Sequence, residues 1–411
     1  MQTKIDNLNN TLQENLVAIR VVKAFVREGY ERVKFKKSND ELMDAALAVG
    51  LRIIAIMPVM MLALNGATVA VLYFGGGMVM GGTFELGDLQ AFINYIVQIL
   101  MSVMMVAMSL LQLSRAQACA HRIKEVLETE PSVENKPEGE ICRAALPGEV
   151  ADGTDHVLPA PRGEVEFRDV SFHYPSSDKN VLEHITFQAK RGETVAFIGA
   201  TGSGKTTLVS LAARFYDATE GTVLVDGVDV RDYTFDALYD RIGYVTQKAI
   251  LFSGDVRGNV LFGASRGKDS DADVQKALEL AQASEFVDRM PGGIHAPIAE
   301  GGTNVSGGQK QRLSIARALA RRPEILVFDD SFSALDYRTD TRLRAGLDRE
   351  LKDTTRLIVA QRIGTIRNAD KIIVLDEGRM VGMGTHEELM QTCPIYQEIA
   401  RSQLSQEELG A

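Results

Sequence analysis

Two long stretches of the sequence contain no charged residue. The first runs for 28 residues from Ile53 to Met80, and the second runs for 26 residues from Leu89 to Ser114. A helix needs about 20 apolar residues to cross the hydrocarbon core of a bilayer, and each stretch exceeds that length. Core helices of soluble proteins rarely lack charge for so long, so we predict two membrane-spanning helices.

The charged residues around these spans predict their orientation. The connection between them carries Glu85 and Asp88 but no lysine or arginine, whereas both outer flanks are basic. Because basic residues favour the cytoplasmic side, we expect both flanks inside the cell and the short connection outside. The basic flanking residues are Arg20, Lys23, Arg27, Arg32, Lys34, Lys36, Lys37, Arg52, Arg115, Arg122 and Lys124.

Charge and cysteine content narrow the function classes. The 411 residues carry a formal net charge of −10, which argues against a general binder of nucleic acid or anionic lipid. Cys119, Cys142 and Cys393 have neither the spacing of a disulfide framework nor that of a metal site, as suits a reducing cytoplasm. The first 25 residues show helical apolar spacing rather than a signal peptide, so we expect the sequence to begin partway along an amphipathic helix.

Composition predicts a helical membrane part, a linker, an α/β domain and a tail, in that order. The linker is rich in proline, glycine and acidic residues, and in the α/β domain short apolar strand patterns alternate with helical ones. The predicted bounds of the four parts are 1–128, 129–162, 163–402 and 403–411. Within the first part, charged amphipathic helices are predicted over 1–50 and the spans over about 53–80 and 89–114.

A glycine-rich turn in the α/β domain has the pattern of a phosphate-binding loop. It follows the apolar strand ETVAFIG and opens a helix, with Lys205 and Thr206 at its end. The glycines let backbone amides turn toward phosphates, and the helix N-terminus adds partial positive charge. We expect Lys205 to contact phosphate and the Thr206 hydroxyl to ligate Mg²⁺. The predicted nucleotide contacts are Gly199, Thr201, Gly202, Ser203, Gly204, Lys205, Thr206 and Thr207.

Two further motifs lie downstream of this loop. Asp329 ends the apolar strand ILVF at the edge of the sheet where open α/β folds bind ligands, so we expect it to bind Mg²⁺ through water. Ser306-Gly307-Gly308-Gln309 opens a helix and predicts a second anion site. If the two anion sites lie on opposite sides of the domain, two domains could face each other head to tail. Each ATP would then lie between the glycine-rich loop of one domain and the Ser-Gly-Gly segment of the other.

These motifs resemble those of the ATP-binding cassette (ABC) transporter family, exporter type, in which membrane and nucleotide domains are fused. The resemblance covers nearly the whole chain and implies an α/β P-loop NTPase domain preceded by an all-α transmembrane fragment. It implies that Ser306, Gly307, Gly308 and Gln309 form the signature motif, with Val305 where leucine is commoner. It also implies that ATP and Mg²⁺ are the cofactors.

The resemblance assigns roles to several other residues. Tyr174 is similar to the aromatic residue that stacks on adenine, with local strand packing as the alternative. Gln247 is similar to the glutamine that touches Mg²⁺ and the attacking water, and Asp336 ends a loop that crosses the dimer interface. Glu300 resembles a coupling acid, although a solvated loop acid fits it nearly as well. Residues 13–25 resemble an intracellular loop whose short helix docks on the partner's nucleotide domain, or a charged helix without that role.

Two residues depart from the family pattern. Asp330 replaces the glutamate that orients and deprotonates the attacking water, and it is one methylene shorter. A carboxylate withdrawn by roughly an ångström can cost on the order of 100-fold in rate. Gln361 replaces a histidine, and its amide can donate a hydrogen bond but cannot carry a proton or a charge. The resemblance therefore implies one subunit of a heterodimer, with a degenerate ATP site of its own and a partner that has glutamate and histidine.

The membrane part sets the remaining expectations. Halves of this family carry six helices, so the two spans resemble the fifth and sixth, and we expect an N-terminally truncated sequence. The resemblance implies a multi-pass plasma-membrane protein with a cytoplasmic nucleotide domain. It also implies export of an unidentified hydrophobic or amphipathic molecule, as in multidrug efflux, and no nucleic-acid partner. The alternatives are an ATP-dependent clamp that transports nothing, a transport-incompetent truncated product, and a homodimeric exporter with two slow sites.

Four methionines on the second span could contribute to a drug-binding wall, because soft, adaptable side chains suit varied ligands. Lipid-facing packing is the favoured interpretation of the four. They are Met101, Met104, Met105 and Met108.

Overall fold

The computed structural model describes residues 2–83, 85–137, 162–263 and 270–403. The chain divides into two compact units, Met1–Glu130 and Pro131–Ala411. Cys142 and most of the predicted linker lie outside the described residues, as does most of the predicted tail.

The first unit is helical. Two of its helices are long and apolar enough to cross a membrane, and they contain the two spans predicted from sequence. At about 1.5 Å per residue, the 53 residues of α3 extend about 80 Å, so a bilayer core of about 30 Å occupies less than half of that helix. The helices are α1 (Gln2–Val17), α2 (Ile19–Ala24), α3 (Glu28–Met80) and α4 (Leu86–Leu127).

Helix α1 runs antiparallel to the charged first part of α3. Lys4 pairs with Glu41 at 2.7 Å and Lys34 pairs with Glu14 at 2.7 Å, so that the start of one helix meets a later part of the other. Exposed ion pairs of this kind each contribute only about 0–1 kcal/mol, so they report the antiparallel pairing more than they stabilise it. The short α2 lies within the intracellular-loop pattern of residues 13–25.

Helices α3 and α4 form a hairpin with a close contact near the turn. A Cβ atom at Gly75 would lie 2.4 Å from Leu89 Cδ1, so the glycine allows the leucine to be buried. On α4, the side chains of Met101 and Met105 are exposed, whereas those of Met104 and Met108 lie outside the described set. Lipid-facing packing of the four methionines stays a prediction.

The second unit contains a six-stranded sheet, in the order β12-β11-β3-β10-β9-β6, and a four-stranded sheet, β2-β1-β4-β5. Neighbours in the large sheet are parallel except β11 and β12, whereas the pairs of the small sheet are antiparallel. The strands are β1 (Val165–Phe172), β2 (Leu182–Ala189), β3 (Thr194–Gly199), β4 (Glu220–Val225), β5 (Val228–Asp229), β6 (Ile242–Val245), β7 (Gly254–Asp255), β8 (Pro297–Ile298), β9 (Ile325–Asp329), β10 (Thr355–Val359), β11 (Lys371–Asp376) and β12 (Arg379–Gly384).

The large sheet is covered on both faces. Val195 and Phe197 of β3 lie in one apolar core with the small sheet, whereas Ala196 and Ile198 lie in a second core with the helices. This alternation fixes β3 between two layers and so positions the glycine-rich turn at its end. The helices of this unit are α5 (Lys205–Ala212), α6 (Phe235–Arg241), α7 (Val256–Leu261), α8 (Asp271–Leu280), α9 (Ser284–Val287), α10 (Gly307–Ala320), α11 (Tyr337–Glu350), α12 (Ile363–Ile366), α13 (His386–Thr392) and α14 (Pro394–Gln403).

Candidate nucleotide site

The turn between β3 and α5 requires glycine at two positions. Gly199 has φ +157°, and a Cβ there would lie 2.0 Å from the carbonyl oxygen of Leu375. Gly204 has φ +93°, and a Cβ there would lie 2.7 Å from Leu182 Cδ2. At Gly202, by contrast, a Cβ would meet no described heavy atom within 4 Å. The loop is thus pressed against the protein on one side and has open space on the other, as a phosphate cradle requires.

Lys205, the first residue of α5, folds its amine back onto the loop. Its Nζ donates to the carbonyl oxygens of Gly199 at 2.9 Å and Ala200 at 2.7 Å, and to Ser203 Oγ at 3.2 Å. Burial lowers the pKa of the Lys205 amine, and two nearby aspartates act in the opposite direction. Phosphate oxygens would offer this amine charged acceptors in place of neutral carbonyls, which are weaker partners.

Thr206 and Asp329 provide oxygen atoms that suit Mg²⁺. The Thr206 hydroxyl donates to Asp329 Oδ1 at 2.8 Å, so the end of β9 meets the first turn of α5. Asp329 is only 4% exposed, and burial raises the pKa of its carboxyl group. A hydroxyl and a buried carboxylate beside a phosphate cradle are the hard oxygen ligands that Mg²⁺ prefers, and its charge would favour the ionised carboxylate.

Sequence reasoning missed Tyr244, which contacts the same carboxylate. Its hydroxyl donates to Asp329 Oδ2 at 3.4 Å, and burial raises the pKa of this phenol well above its ordinary value. The phenol therefore stays protonated and serves as a donor. The sequence carries no local pattern that links the two residues, because the contact depends on the pairing of β6, which contains Tyr244, with β9.

Asp330 follows β9 in a left-handed turn with φ +46°, a conformation that aspartate tolerates better than most residues. Its Oδ2 accepts from Gln361 Nε2 at 2.7 Å and from Gln247 Nε2 at 3.3 Å. The side chain is mostly buried, and burial raises the pKa of its carboxyl group while the amide hydrogen bonds act in the opposite direction. The structure thus brings the three residues with predicted catalytic roles together around one carboxylate oxygen.

Tyr174 lies close to the start of α5. Its hydroxyl and Thr207 Oγ1 are 2.9 Å apart, and its ring makes edge-to-face contacts with Phe172 and Tyr216 at centroid distances of 5.0 and 5.2 Å. These contacts are the local packing that we gave as the alternative for this residue. Stacking on adenine stays a prediction.

The predicted signature motif begins a separate helix, α10. Ser306 is its N-cap: the hydroxyl accepts from the Gln309 amide N–H at 3.4 Å, and Gln309 Oε1 accepts from the Ser306 N–H at 2.8 Å. This capping box leaves the hydroxyl hydrogen of Ser306 able to donate to an anion. Gly307 and Gly308 form the first turn, so the second predicted anion site has the expected local form.

The remaining motif residues have structural contacts of their own. Asp336 is the N-cap of α11 and accepts from Thr339 N at 3.0 Å and Thr339 Oγ1 at 2.7 Å, and these bonds lower the pKa of its carboxyl group. Glu300 is exposed at the start of a short 3₁₀ turn, and Val305 is buried. Their roles at a dimer interface stay predictions.

Fold and site together define a P-loop nucleotide-binding domain on the same chain as membrane-type helices. The ABC transporter family matches residues 182–333, and the ABC transporter transmembrane region matches residues 1–103. The chain belongs to the ABC transporter family, and it joins part of an exporter-type transmembrane region to an ATP-binding cassette.

Similar proteins extend beyond this chain. An uncharacterized ABC transporter ATP-binding protein of Mycobacterium tuberculosis is 45% identical over 406 residues, which cover 98% of this chain and 66% of that protein. YfiB of Bacillus subtilis, another uncharacterized ABC transporter ATP-binding protein, is 37% identical over 407 residues, which cover 99% of this chain and 67% of that protein. An ATP-dependent lipid A-core flippase of Syntrophus aciditrophicus is 34% identical over 410 residues, which cover 100% of this chain and 65% of that protein.

A solved structure shows the same fold. It is that of a bacterial Atm1-family ABC exporter with ATP bound, which is 29% identical and superimposes with a TM-score of 0.80. The match covers 98% of this chain and 69% of that one. The chain spans about two thirds of the length of the curated relatives named above.

Proposed function

We propose that the protein is the ATP-binding and permease subunit of an ATP-driven exporter, and that its own site binds MgATP firmly but hydrolyses it slowly. The observation that carries the second part is the pair of amides on Asp330, from Gln361 and Gln247, at 2.7 and 3.3 Å. A general base must offer an oxygen to the attacking water. Here a short carboxylate is engaged by two donors that cannot take up its proton.

The binding residues support firm retention of the nucleotide. Lys205 supplies the charge, and Thr206 and Asp329 supply the oxygens for Mg²⁺. The cradle requires its glycines, as the contacts at Gly199 and Gly204 indicate. The altered residues therefore lie around Asp330, whereas the residues expected to hold phosphate and metal match the family pattern.

We propose that the subunit works in a heterodimer. ABC exporters assemble as dimers, and a head-to-tail pair would place Ser306 and its helix N-terminus against the partner's ATP. The intact capping box on α10 supports this use of the signature motif, because it presents a hydroxyl and free backbone amides at a helix start. The partner would supply the glutamate and histidine of a competent site.

The proposed substrate is a hydrophobic or amphipathic molecule, and the proposed location is the plasma membrane with the cassette in the cytoplasm. The similarity to a lipid A-core flippase favours a lipid-like substrate, since that protein of Syntrophus aciditrophicus is 34% identical over 410 residues. The basic flanks of the two spans support the cytoplasmic position of the cassette.

The first test restores the family's residues. In the complete heterodimer, the partner's catalytic glutamate is changed to glutamine, so that single-turnover ATP cleavage reports on this site. We expect the double substitution Asp330→Glu and Gln361→His to raise the cleavage rate about 100-fold. Glutamate restores the length of the base, and histidine restores a neighbouring side chain that can carry charge. No gain over the unrestored chain would contradict the degenerate site, and rapid cleavage by a self-paired preparation would favour a homodimer instead.

The second test addresses the signature motif. Ser306→Arg fills the anion site of α10 with a bulky side chain, and we expect steady-state ATPase activity of the heterodimer to fall at least tenfold. The control is Ser270→Arg, because Ser270 is also an exposed N-cap and accepts from Asp273 N, but no glycine follows it in the first turn of α8. Activity that survives Ser306→Arg would contradict the use of this motif by the partner's site.

A further inference from the structure

The last turn of α14 contacts the loop that carries Gln361. Gln403 Nε2 donates to the carbonyl oxygen of Gln361 at 2.8 Å, and Gln403 Oε1 accepts from the backbone N–H of Ile363 at 2.8 Å. One side chain therefore uses both of its polar ends on a segment of three residues. A glutamine that only ended a helix in solvent would have no need of two such bonds.

Helix α14 is firmly attached to the rest of the cassette. Tyr396 and Ala400 are buried in the same apolar core as Ile363 and Ile366 of α12. The Tyr396 hydroxyl lies 2.7 Å from His386 Nδ1, which ties α14 to α13. Residues 396, 400 and 403 are spaced by four and three positions, so Gln403 lies on the helix face that is already packed on α12.

The fixed loop controls the side chain that reaches Asp330. The bonds from Gln403 hold the carbonyl of Gln361 and the N–H of Ile363, and between them they restrict movement of the Gln361 backbone. The Gln361 amide then donates to Asp330 Oδ2 at 2.7 Å. A chain of contacts thus runs from the C-terminal helix to the carboxylate beside the nucleotide site.

We propose that Gln403 is a positioning residue that holds the 361–363 loop so that Gln361 stays on Asp330 and the bound ATP is retained. This inference rests on the proposed function, because it concerns an ATP site that keeps its nucleotide. Gln403 touches no reacting atom and acts through Gln361. The state of the C-terminal helix thereby influences how long ATP stays bound.

The test measures the dissociation of radiolabelled MgATP from this site in the complete heterodimer. Gln403→Ala removes both bonds, and Gln403→Glu keeps the acceptor for Ile363 but turns the donor toward Gln361 into a second acceptor. We expect both variants to release ATP about fivefold faster, the effect of one typical hydrogen bond. Gln397→Glu is the matched control: it makes the same change on the same helix about 9 Å earlier, and we expect less than a twofold effect.

A double-mutant cycle separates positioning from general destabilisation. The cycle compares Gln403→Ala in the unaltered chain with Gln403→Ala in a chain that already carries Gln361→Ala. If Gln403 acts through Gln361, the second comparison should show ATP release faster by less than about 1.5-fold, because the effects of coupled residues are not additive. Effects that multiply would overturn the proposal, and so would unchanged ATP release from both Gln403 variants. Gln403→Glu is isosteric and lies at an exposed helix end, so it keeps the test open if Gln403→Ala fails to fold.

Failure of this inference differs from failure of the proposed function. Single-turnover cleavage in the unaltered chain tests whether the site hydrolyses ATP slowly. The cycle tests whether Gln403 and Gln361 are coupled. Slow cleavage with independent residues would reject only the role of Gln403, whereas fast cleavage would reject the ATP-retaining site on which that role depends.

Discussion

Asp329 and Asp330 are adjacent in the chain, yet their surroundings differ in kind. Asp329 ends β9 and accepts from two hydroxyls, those of Thr206 and Tyr244. Asp330 begins a left-handed turn and accepts from two glutamine amides. A hydroxyl oxygen can itself become a ligand of a metal ion, whereas an amide N–H can only occupy the carboxylate. Gln247 would contact Mg²⁺ through its amide oxygen, as the family resemblance implies. The surroundings of Asp329 suit Mg²⁺, whereas those of Asp330 occupy an oxygen that a general base would offer to water.

The difference predicts that binding and cleavage depend on separate groups of residues, although the two carboxylates are adjacent in the chain. Residues around Asp329 form what we term the binding side, with Lys205 and Thr206. Residues around Asp330 form the cleavage side, with Gln247 and Gln361. On this division, substitutions on the binding side should lower ATP affinity by roughly 30-fold or more. Substitutions on the cleavage side should change ATP affinity by no more than about fivefold, the effect of one typical hydrogen bond.

The largest effect is expected for Lys205→Ala. Loss of the ammonium group removes a charge-assisted bond to phosphate, and we expect ATP affinity of the complete transporter to fall about 100-fold. Equilibrium binding of labelled ATP to this site is the measurement. The control Lys352→Ala makes the same change in charge at an exposed turn, and affinity should change by less than about twofold there. Equal effects at both lysines would remove Lys205 from the binding side.

A smaller effect is expected for Asp329→Asn, and it should depend on the metal. With Mg²⁺ present, ATP affinity should fall roughly 30-fold, because the charged oxygen that balances the ion is lost. With EDTA, affinity should be equal or tighter, since a negative charge near the phosphates has been removed. The matched variant Asp330→Asn should leave affinity within about twofold in both conditions.

This pair is the sharpest test of the comparison. If Asp330→Asn lowers the Mg²⁺-dependent affinity as much as Asp329→Asn does, both carboxylates bind the metal, and the separation into two sides is wrong. Titration of Mg²⁺ at constant ATP concentration distinguishes the two outcomes.

Local sequence signals predicted much of the fold. The runs ETVAFIG, EILVFD, RLIVA and KIIVLD lack alternation, and they correspond to β3, β9, β10 and β11, which are parallel neighbours in the large sheet. A strand that is covered on both faces needs apolar residues on both, so its burial between two layers can be predicted from a run of consecutive apolar residues. The glycine positions of the phosphate loop were predictable for the same reason, because steric limits act locally.

Contacts between distant segments were not predictable in this way. The bond between Tyr244 and Asp329 joins residues 85 positions apart, and the bond between Gln403 and Gln361 joins residues 42 positions apart. Neither leaves a periodic pattern in the sequence. The long α3 is a different case: charge disappears near residue 53, but backbone hydrogen bonding is indifferent to that change, so one helix continues from Glu28 to Met80.

A still smaller effect on affinity is expected for Tyr174→Leu. Stacking of an aromatic ring on a base contributes about 1–3 kcal/mol, so ATP affinity should fall about tenfold if Tyr174 contacts adenine. Tyr174→Phe keeps the ring and loses the bond to Thr207, and it should bind within about threefold of the unaltered chain. Inorganic tripolyphosphate, which has no base, should bind equally to all three. Unchanged ATP affinity in Tyr174→Leu would favour local packing as the role of this ring.

The smallest effect concerns acid and the helix that supports the cleavage side. Burial lowers the pKa of His386, which bonds to Tyr396 of α14, from the ordinary value of 6.5. The folded state therefore favours the neutral imidazole, and its contribution to stability is full above pH 6.5 and is lost as the pH falls through the lowered pKa. The control is His386→Gln, whose side chain can bond to Tyr396 but does not titrate. When the pH is lowered from 7.5 to 5.5, we expect the thermal midpoint of the unaltered chain to fall by on the order of 1 °C more than that of the control. Equal shifts in both chains would show that His386 does not couple acid to α14, and ATP affinity on the binding side should be the same in both.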